Sequence, residues 1–170
     1  HGGCVVESGP RRYLKGECCY LPGVAQTLSE IKQLLAAHGL HPKHKFGQNF
    51  LHDGNHMRRI MDAAELSPGD VVLEVGPGTG ALTERLLEDG AQVVSVEIDT
   101  DLETVLTARM AGLPDGQGER FTLVVGDVLA GKHTINPAVI ELVMQKVTVS
   151  GASGFKLIAN LPYNVASPLL

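Results

Sequence analysis

Four short apolar runs alternate with helix-like segments after residue 70. The runs read as buried strands because their residues are apolar almost without interruption, rather than at every second position. They cover residues 71–75, 92–96, 121–125 and 155–159. Amphipathic segments over 81–89, 99–110 and 137–147 lie between them and predict helices. Strands that alternate with helices form a parallel sheet covered on both faces, so we expect a doubly wound α/β fold with four parallel strands.

The N-terminal part of the chain lacks this alternation. Residues 27–38 and 54–64 carry apolar side chains at helical spacing and predict two helices, the second capped by Asp53. Residues 1–26 are rich in Gly, Pro and Cys without a clear period, which predicts an irregular extension. We therefore divide the chain into this extension and one folded domain over residues 27–170.

The C-terminal end of the sequence predicts an unfinished domain. Ser167 and Pro168 have the form of a helix cap and a first helical proline, and only two leucines follow them. A sheet that ended at the fourth strand would also leave an apolar strand at an open edge. We therefore expect the chain to be part of a longer protein.

Composition places the chain among globular proteins. It has 170 residues, of which 44% are hydrophobic and 19% charged. The net charge of -5 is unlike the strongly positive charge of dedicated nucleic-acid modules, although it is compatible with a local basic face. No apolar run reaches the ~18 residues of a membrane span, so no membrane partner is predicted. The cysteines Cys4, Cys18 and Cys19 favour reduced thiols, because their number is odd and two are adjacent.

A glycine-rich loop joins the first strand to the helix that follows it. Gly76, Gly78 and Gly80 allow a tight turn and let a ligand approach backbone N–H groups. Glu97 ends the second strand about 20 residues further on, where an acid can accept hydrogen bonds from both hydroxyls of an adenosine ribose. Together these features predict a cofactor that contains adenosine, and they suit NAD and S-adenosylmethionine equally.

Two further acids belong to the predicted site. Glu74 lies inside the first apolar strand, where an unpaired charge is costly, so we expect it to meet loop amides or the ammonium group of a ligand. Asp127 follows the third strand and therefore lies at the same sheet edge as Glu97. At that place Asp127 can accept a hydrogen bond from an adenine amino group, with Val128 against the ring.

The segment Asn160-Leu161-Pro162-Tyr163 follows the fourth strand and is the most informative stretch of the chain. The Asn160 side-chain oxygen and the Pro162 main-chain oxygen can both accept hydrogen bonds from a flat exocyclic amine. The Tyr163 ring can stack on the base that carries this amine. A methyl donor at the glycine loop and a base amine at Asn160 would meet at one point, which predicts methyl transfer to a nucleobase.

Several segments occur in the order typical of one enzyme family. They are Gly47 to Leu51 (GQNFL), the glycine loop, Glu97, Gly126-Asp127 and Asn160 to Asn164 (NLPYN). This order resembles the KsgA/RsmA-type ribosomal RNA adenine N6-dimethyltransferases, over roughly residues 43–170. The glycine loop is generic to methyltransferases, whereas the combination of the QNFL and NLPYN segments is specific to this family.

The resemblance implies a Rossmann-like class I S-adenosylmethionine-dependent methyltransferase fold. This chain would hold part of that fold, namely its first four parallel strands with their flanking helices. The resemblance also implies that Asn49 and Leu51 line the donor pocket. Gly76 and Gly78 would pass beside the methionine part of S-adenosylmethionine.

The resemblance assigns the remaining site residues to the donor nucleoside and to the target base. Glu97 would hold the ribose and Asp127 the adenine amine of the donor. Asn160 would lie between the donor and the target base. Pro162 would offer its carbonyl, and Tyr163 would stack on the target adenine.

The expected partner is small-subunit ribosomal RNA or the pre-ribosomal small subunit. We expect a monomer in the cytoplasm, with the mitochondrion or chloroplast as the alternative location. Family members continue into further strands and a helical C-terminal domain that helps to grip RNA, and both are absent from this sequence. The stretch between Asp127 and Asn160 is longer than in bacterial members.

Three other functions remain open on the sequence alone. An NAD-dependent oxidoreductase suits the glycine loop and Glu97, but it leaves Asn160 to Tyr163 unexplained. A DNA adenine methyltransferase would more often carry a second proline where Leu161 stands. A non-catalytic factor in ribosome assembly or transcription could share the fold. Retention of Glu97, Asp127, Asn160 and Tyr163 favours catalysis over that last reading.

Overall fold

The computed structural model describes residues 27–40, 54–131 and 133–159. A four-stranded parallel sheet lies at their centre, with the strand order β3-β2-β1-β6. Its strands are β1 (Val71–Val75), β2 (Gln92–Glu97), β3 (Phe121–Val125) and β6 (Phe155–Ala159). The predicted parallel α/β sheet is therefore confirmed, with strand ends that agree to about one residue.

Five α-helices accompany the sheet in the described part of the chain. They are α1 (Leu28–Ala37), α2 (Gly54–Ala64), α3 (Ala81–Glu88), α4 (Leu102–Ala111) and α5 (Pro137–Ser150). A small antiparallel hairpin of β4 (Leu129–Gly131) and β5 (Thr134–Ile135) follows β3. The sequence pattern does not predict this hairpin, because its strands are too short to show a period.

Two helices begin at caps that the sequence supplies. At α1, the Thr27 hydroxyl accepts from the Glu30 N–H at 3.2 Å, and the Glu30 carboxylate accepts from the Thr27 N–H at 2.8 Å. These reciprocal bonds satisfy two donors that the first turn leaves unpaired. At α5, the Asn136 side chain accepts from the Ala138 N–H at 3.0 Å, and Pro137 takes the first helical position, as predicted.

Helix α4 differs from its predicted bounds at both ends. The predicted start at Asp99 is wrong, because this residue forms the turn that leads into the helix. Its carbonyl accepts from the Leu102 N–H at 3.0 Å, and its side chain accepts from the Asp101 N–H at 3.2 Å. At the other end, α4 runs to Ala111, one residue beyond the predicted end, and Pro114 opens a 3₁₀ segment over Pro114–Arg120.

The sheet is covered on both faces, which explains why its strands are apolar without alternation. Side chains of β1 point to opposite faces in turn, so Val71 and Leu73 face one way and Val72 the other. The first face packs against α5 through Val139, Val143 and Val147. The second packs against α3 and the end of α4 through Leu82, Leu86, Leu87 and Met110. Each fully buried Val or Leu contributes ~1.5–3 kcal/mol to folding.

Helix α1 is held against α4 by a smaller core of its own. Ile31 and Leu35 of α1 are buried there with Leu102 and Leu106 of α4.

Among the described helices, none is both long enough and apolar enough to cross a membrane.

The edges of the described sheet are β3 and β6. Within the described residues β6 pairs only with β1, and its Leu157 is 40% exposed. The amino end of β6 is fixed by Lys156, whose ammonium group donates to the Glu65 carbonyl at 2.7 Å and to the Asp70 carboxylate at 2.9 Å. These bonds tie β6 to the turn that precedes β1.

Candidate functional site

The glycine loop connects the end of β1 to the start of α3. Gly76, Gly78 and Gly80 have φ angles of 72°, 60° and 83°, a backbone conformation that residues with a Cβ rarely adopt. The Gly76 N–H donates to the Val96 carbonyl at 2.9 Å, which anchors the loop to β2. The Gly80 N–H donates to the Pro77 carbonyl at 2.9 Å, which closes the turn. These two hydrogen bonds fix the conformation of the loop, which continues directly into the N-terminus of α3.

Glu97 is buried beside this loop at the end of β2, with 5% of its surface exposed. One carboxylate oxygen accepts from the Gly78 N–H at 3.0 Å, and the other accepts from the Asp99 N–H at 2.9 Å. Burial raises the pKa of Glu97, and these amide hydrogen bonds act in the opposite direction. A carboxylate offers about four acceptor positions, so two amide bonds leave capacity for ligand hydroxyls.

Asp127 lies at the adjacent strand end. The last residue of β3, Val125, is the register partner of Glu97, and the Gly126 N–H donates to the Glu97 carbonyl at 2.8 Å. Asp127 itself is exposed, and its side chain accepts from the Leu129 N–H at 2.9 Å. The two predicted acids therefore stand on neighbouring strand ends at one edge of the sheet.

Val128, the residue after Asp127, is largely buried. It is 6% exposed and belongs to the core beneath α5. Its carbonyl accepts from the Asn136 N–H at 2.8 Å, which ties the hairpin to the start of α5. The hairpin thus turns this side chain toward the core, and the contact of Val128 with an adenine ring stays a prediction.

The remaining predicted site residues lie outside the described part of the chain. They are Asn49, Leu51, Asn160, Pro162 and Tyr163. Asn160 directly follows Ala159, whose register partner in the sheet is Val75, the residue before Gly76. The chain thus leaves β6 toward residue 160 at the strand end next to the glycine loop. The roles of these five residues stay predictions.

Glu74 is buried in β1 with 1% of its surface exposed. One carboxylate oxygen accepts from the Thr83 hydroxyl at 2.7 Å and from the Ser95 hydroxyl at 2.6 Å. Its other oxygen, Oε1, is buried and has no hydrogen-bond partner in the described residues. The expected contact with loop amides is thus replaced by two hydroxyls, while a ligand ammonium group stays a prediction. Burial raises the pKa of Glu74 to about 7.

A buried ion pair behind the glycine loop was not found from the sequence. Arg109 of α4 donates through Nε and Nη2 to both carboxylate oxygens of Glu84 on α3, with the Nη2 bond at 2.6 Å. Its third nitrogen, Nη1, donates to the Thr79 carbonyl in the loop at 2.8 Å. The only sequence signal is a charged residue at a core-facing helical position, and that signal does not identify a partner.

The fold and the site define a class of protein. A parallel sheet with a glycine loop after β1 and an acid at the end of β2 is the adenosine-binding arrangement of Rossmann-like proteins. A protein of Pyrococcus horikoshii superposes with a TM-score of 0.53 and 22% identity, over 83% of this chain and 66% of that one. The 23S rRNA methyltransferase ErmE superposes with a TM-score of 0.52 and 32% identity, over 71% of this chain and 41% of that one. The fold is thus a partial Rossmann-like class I methyltransferase fold.

The family model for ribosomal RNA adenine dimethylase matches residues 39–170, and the chain belongs to this family. Relatives named ribosomal RNA small subunit methyltransferase A include one from Cutibacterium acnes, 41% identical over 84% of this chain and 43% of its own length. Another, from Streptomyces coelicolor, is 42% identical over 84% of this chain and 44% of its own length. The chain spans less than half the length of these relatives. The resemblance predicted from the sequence motifs is confirmed.

Proposed function

We propose that the chain is the donor-binding part of an S-adenosylmethionine-dependent enzyme that dimethylates adenine N6 in small-subunit ribosomal RNA. The observation that carries the proposal is the position of Glu97. Its carboxylate is fixed by the Gly78 and Asp99 amides and retains acceptor capacity beside the glycine loop. An adenosine ribose offers the two hydroxyls that such a carboxylate can bind. We propose residues 27–170 as the domain that carries this site, with residues 1–26 as an extension to it.

The described residues fit the methyl donor. Glu97 would hold the ribose hydroxyls, and Asp127 would accept from the adenine amine at the neighbouring strand end. Gly76 and Gly78, which carry no Cβ, would let the methionine part lie close to the loop backbone. Asn49 and Leu51 would complete the pocket. When bound, S-adenosylmethionine supplies an electrophilic methyl group on a positively charged sulfur.

The target amine would be held by residues after β6. An adenine N6 amine is a poor nucleophile because its lone pair is delocalised into the ring. Hydrogen bonds from its N–H groups to Asn160 and to the Pro162 carbonyl would favour a more pyramidal nitrogen, while Tyr163 stacks on the base. Such positioning can lower the barrier by up to ~7–11 kcal/mol. No general base is needed, because the nitrogen becomes acidic as it is methylated.

The choice among the alternatives rests on separate observations. NAD would suit the glycine loop and Glu97, but family membership over residues 39–170 favours the methyl donor. The names of the curated relatives favour small-subunit RNA as the substrate, whereas the ErmE name specifies 23S RNA. We further propose that the protein acts as a monomer in the cytoplasm, with the mitochondrion or chloroplast as the alternative location.

The proposal is tested first by calorimetric titration of the chain with S-adenosylmethionine, with NADH as the comparison ligand. Saturable binding of the methyl donor alone is expected. Binding of NADH instead would replace the proposal with an oxidoreductase.

Transfer is then measured with methyl-labelled donor on small-subunit and large-subunit ribosomal RNA, and the product nucleoside is identified by mass. Dimethyladenosine in small-subunit RNA supports the proposal. Methyl transfer confined to large-subunit RNA would overturn the assignment of small-subunit RNA as the substrate. Donor and RNA binding without any transfer would favour the non-catalytic factor.

A further inference from the structure

We infer that Arg109 is a positioning residue for the glycine loop, an inference that rests on the proposed function of that loop as a donor site. Arg109 lies in the last turn of α4. Its guanidinium contacts two things at once, the Glu84 carboxylate and the Thr79 carbonyl. The planar fork of Arg permits this double contact, and a Lys ammonium group does not reproduce it.

The Thr79 carbonyl belongs to the peptide unit that also contains the Gly80 N–H. Because that unit is planar, fixing the carbonyl also fixes the direction of the N–H. The Gly80 N–H donates to the Pro77 carbonyl at 2.9 Å and closes the loop. Arg109 at 2.8 Å from the Thr79 oxygen therefore sets the peptide plane on which the turn depends.

Two side chains hold the loop at neighbouring backbone positions. Glu97 accepts from the Gly78 N–H at 3.0 Å. Arg109 donates to the carbonyl of the next residue, Thr79, at 2.8 Å. The two bonds flank a single peptide step, so the backbone between Gly78 and Gly80 has little freedom to rotate. Loss of either bond would free amides that the donor has to meet in one orientation.

Burial makes this ion pair costly to disturb. The Arg109 and Glu84 side chains are only 10% and 9% exposed. Removing Arg109 alone would leave the Glu84 charge buried without compensation, and that would destabilise the fold whatever happens at the loop. Replacement of both residues by apolar ones is far better tolerated. The double change therefore separates the loop effect from the stability effect.

The chain offers a matched control at the other end of α3. Arg120 donates through Nη2 to the Leu87 carbonyl at 2.7 Å, so it too holds a backbone carbonyl with a guanidinium group. Leu87 lies in the last turn of α3, remote from the glycine loop. Arg120→Met should thus remove a comparable hydrogen bond from a guanidinium group to a backbone carbonyl, without affecting the glycine loop.

The experiment compares the wild-type chain with Arg109→Met, with Glu84→Met combined with Arg109→Met, and with Arg120→Met. Amide hydrogen exchange over residues 78–81 is measured without ligand, and donor affinity is measured by calorimetry. Both variants that lack Arg109 should exchange these amides faster and bind S-adenosylmethionine about tenfold more weakly, the effect of one lost charge-assisted hydrogen bond. Arg120→Met should retain wild-type values for both.

The two readouts separate the inference from the proposed function. If the wild-type chain does not bind S-adenosylmethionine, the proposed function fails, and loop exchange alone decides the role of Arg109. If the Arg109 variants and Arg120→Met change loop exchange alike, the inference is overturned whatever the donor affinity. In transfer assays a positioning role predicts a higher KM for the donor with kcat preserved at saturating donor. An equal fall of kcat in all variants would contradict it.

Discussion

The Glu97 carboxylate accepts a hydrogen bond from the Gly78 N–H at 3.0 Å and so joins the end of β2 directly to the loop after β1. The same carboxylate also accepts from the Asp99 N–H, at the turn before α4. One buried side chain thus fixes the loop and the strand end that together form the proposed donor site. The bond also means that a change at Glu97 acts on the ligand and on the loop together.

Glu97→Gln is expected to weaken S-adenosylmethionine binding by about 10- to 100-fold, the equivalent of ~1–3 kcal/mol. The amide NH₂ cannot accept from the Gly78 N–H, and one hydroxyl of the proposed ribose would lose its acceptor. Stability should change by less than ~1 kcal/mol, because the lost amide bond is offset by no longer burying a charge. Calorimetry and urea unfolding measure the two effects. Glu141→Gln, at an exposed position of α5, is the control. Unchanged donor affinity in Glu97→Gln would rule out the ribose assignment.

Glu74 should make the protein less stable as the pH rises. Its pKa is raised by burial from 4.5 to about 7, so the folded chain keeps a proton that the unfolded chain releases. The stabilisation is fully present below pH ~4.5 and is lost as the pH passes through ~7, a total of about 3 kcal/mol. The difference in unfolding free energy between the wild type and Glu74→Gln, measured in urea from pH 4.5 to 8, should show this slope. A pH-independent difference would contradict it.

Gly80→Ala should destabilise the chain more than Gly151→Ala. Both glycines have positive φ, 83° and 71°, so each substitution costs ~1–2 kcal/mol in backbone strain. A Cβ at Gly80 would also lie 2.8 Å from the Met110 methyl carbon and 3.1 Å from a Leu106 methyl carbon, whereas one at Gly151 would meet nothing within 4 Å. Crowding should add ~1 kcal/mol or more at Gly80. If urea unfolding shows that both variants lose the same free energy of unfolding, α4 moves far enough to accommodate the added methyl group, and the crowding prediction is wrong.

Asn160→Ala is expected to abolish methyl transfer to adenine while donor affinity falls by less than about tenfold. The physical reason is that the side-chain oxygen would hold the target amine, whereas most of the proposed donor contacts would be made by Glu97, Asp127 and the glycine loop. Transfer assays and donor titrations on the same variant check both parts. Asn164→Ala tests whether any amide in the segment suffices, and it should retain more activity. Near-normal turnover of Asn160→Ala would rule out the amine clamp.

The strands and the site edge could be predicted because their signals are local. Apolar runs bounded by turns mark β1, β2, β3 and β6, and the chain order fixes which ends meet. Gly78, Glu97 and Asp127 follow from that order, since the carboxyl ends of parallel strands share one edge. The start of α5 could be predicted for the same reason, because its cap consists of two residues that are adjacent in the sequence, Asn136 and Pro137.

The missed features depend on partners that are distant in sequence. Glu84 and Arg109 form one ion pair from two helices, and no local pattern links them. Glu74 finds its hydroxyl partners on α3 and β2, so its burial was predicted but its partners were not. The burial of Val128 beneath α5 was not predicted either, because the two short strands of the hairpin carry no periodic signal.

The position of β6 beside β1 has a consequence for how the chain tolerates changes in length. The register of Val75 with Ala159 is set by the ladder of backbone hydrogen bonds between these strands, not by the connection that leads to β6. That connection crosses one face of the sheet as the hairpin and α5, and it ends in the turn over residues 151–154. Added residues at this turn would bulge into solvent while the ladder keeps its alignment. A short reporter peptide inserted there should leave the distance between the glycine loop and Ala159 unchanged.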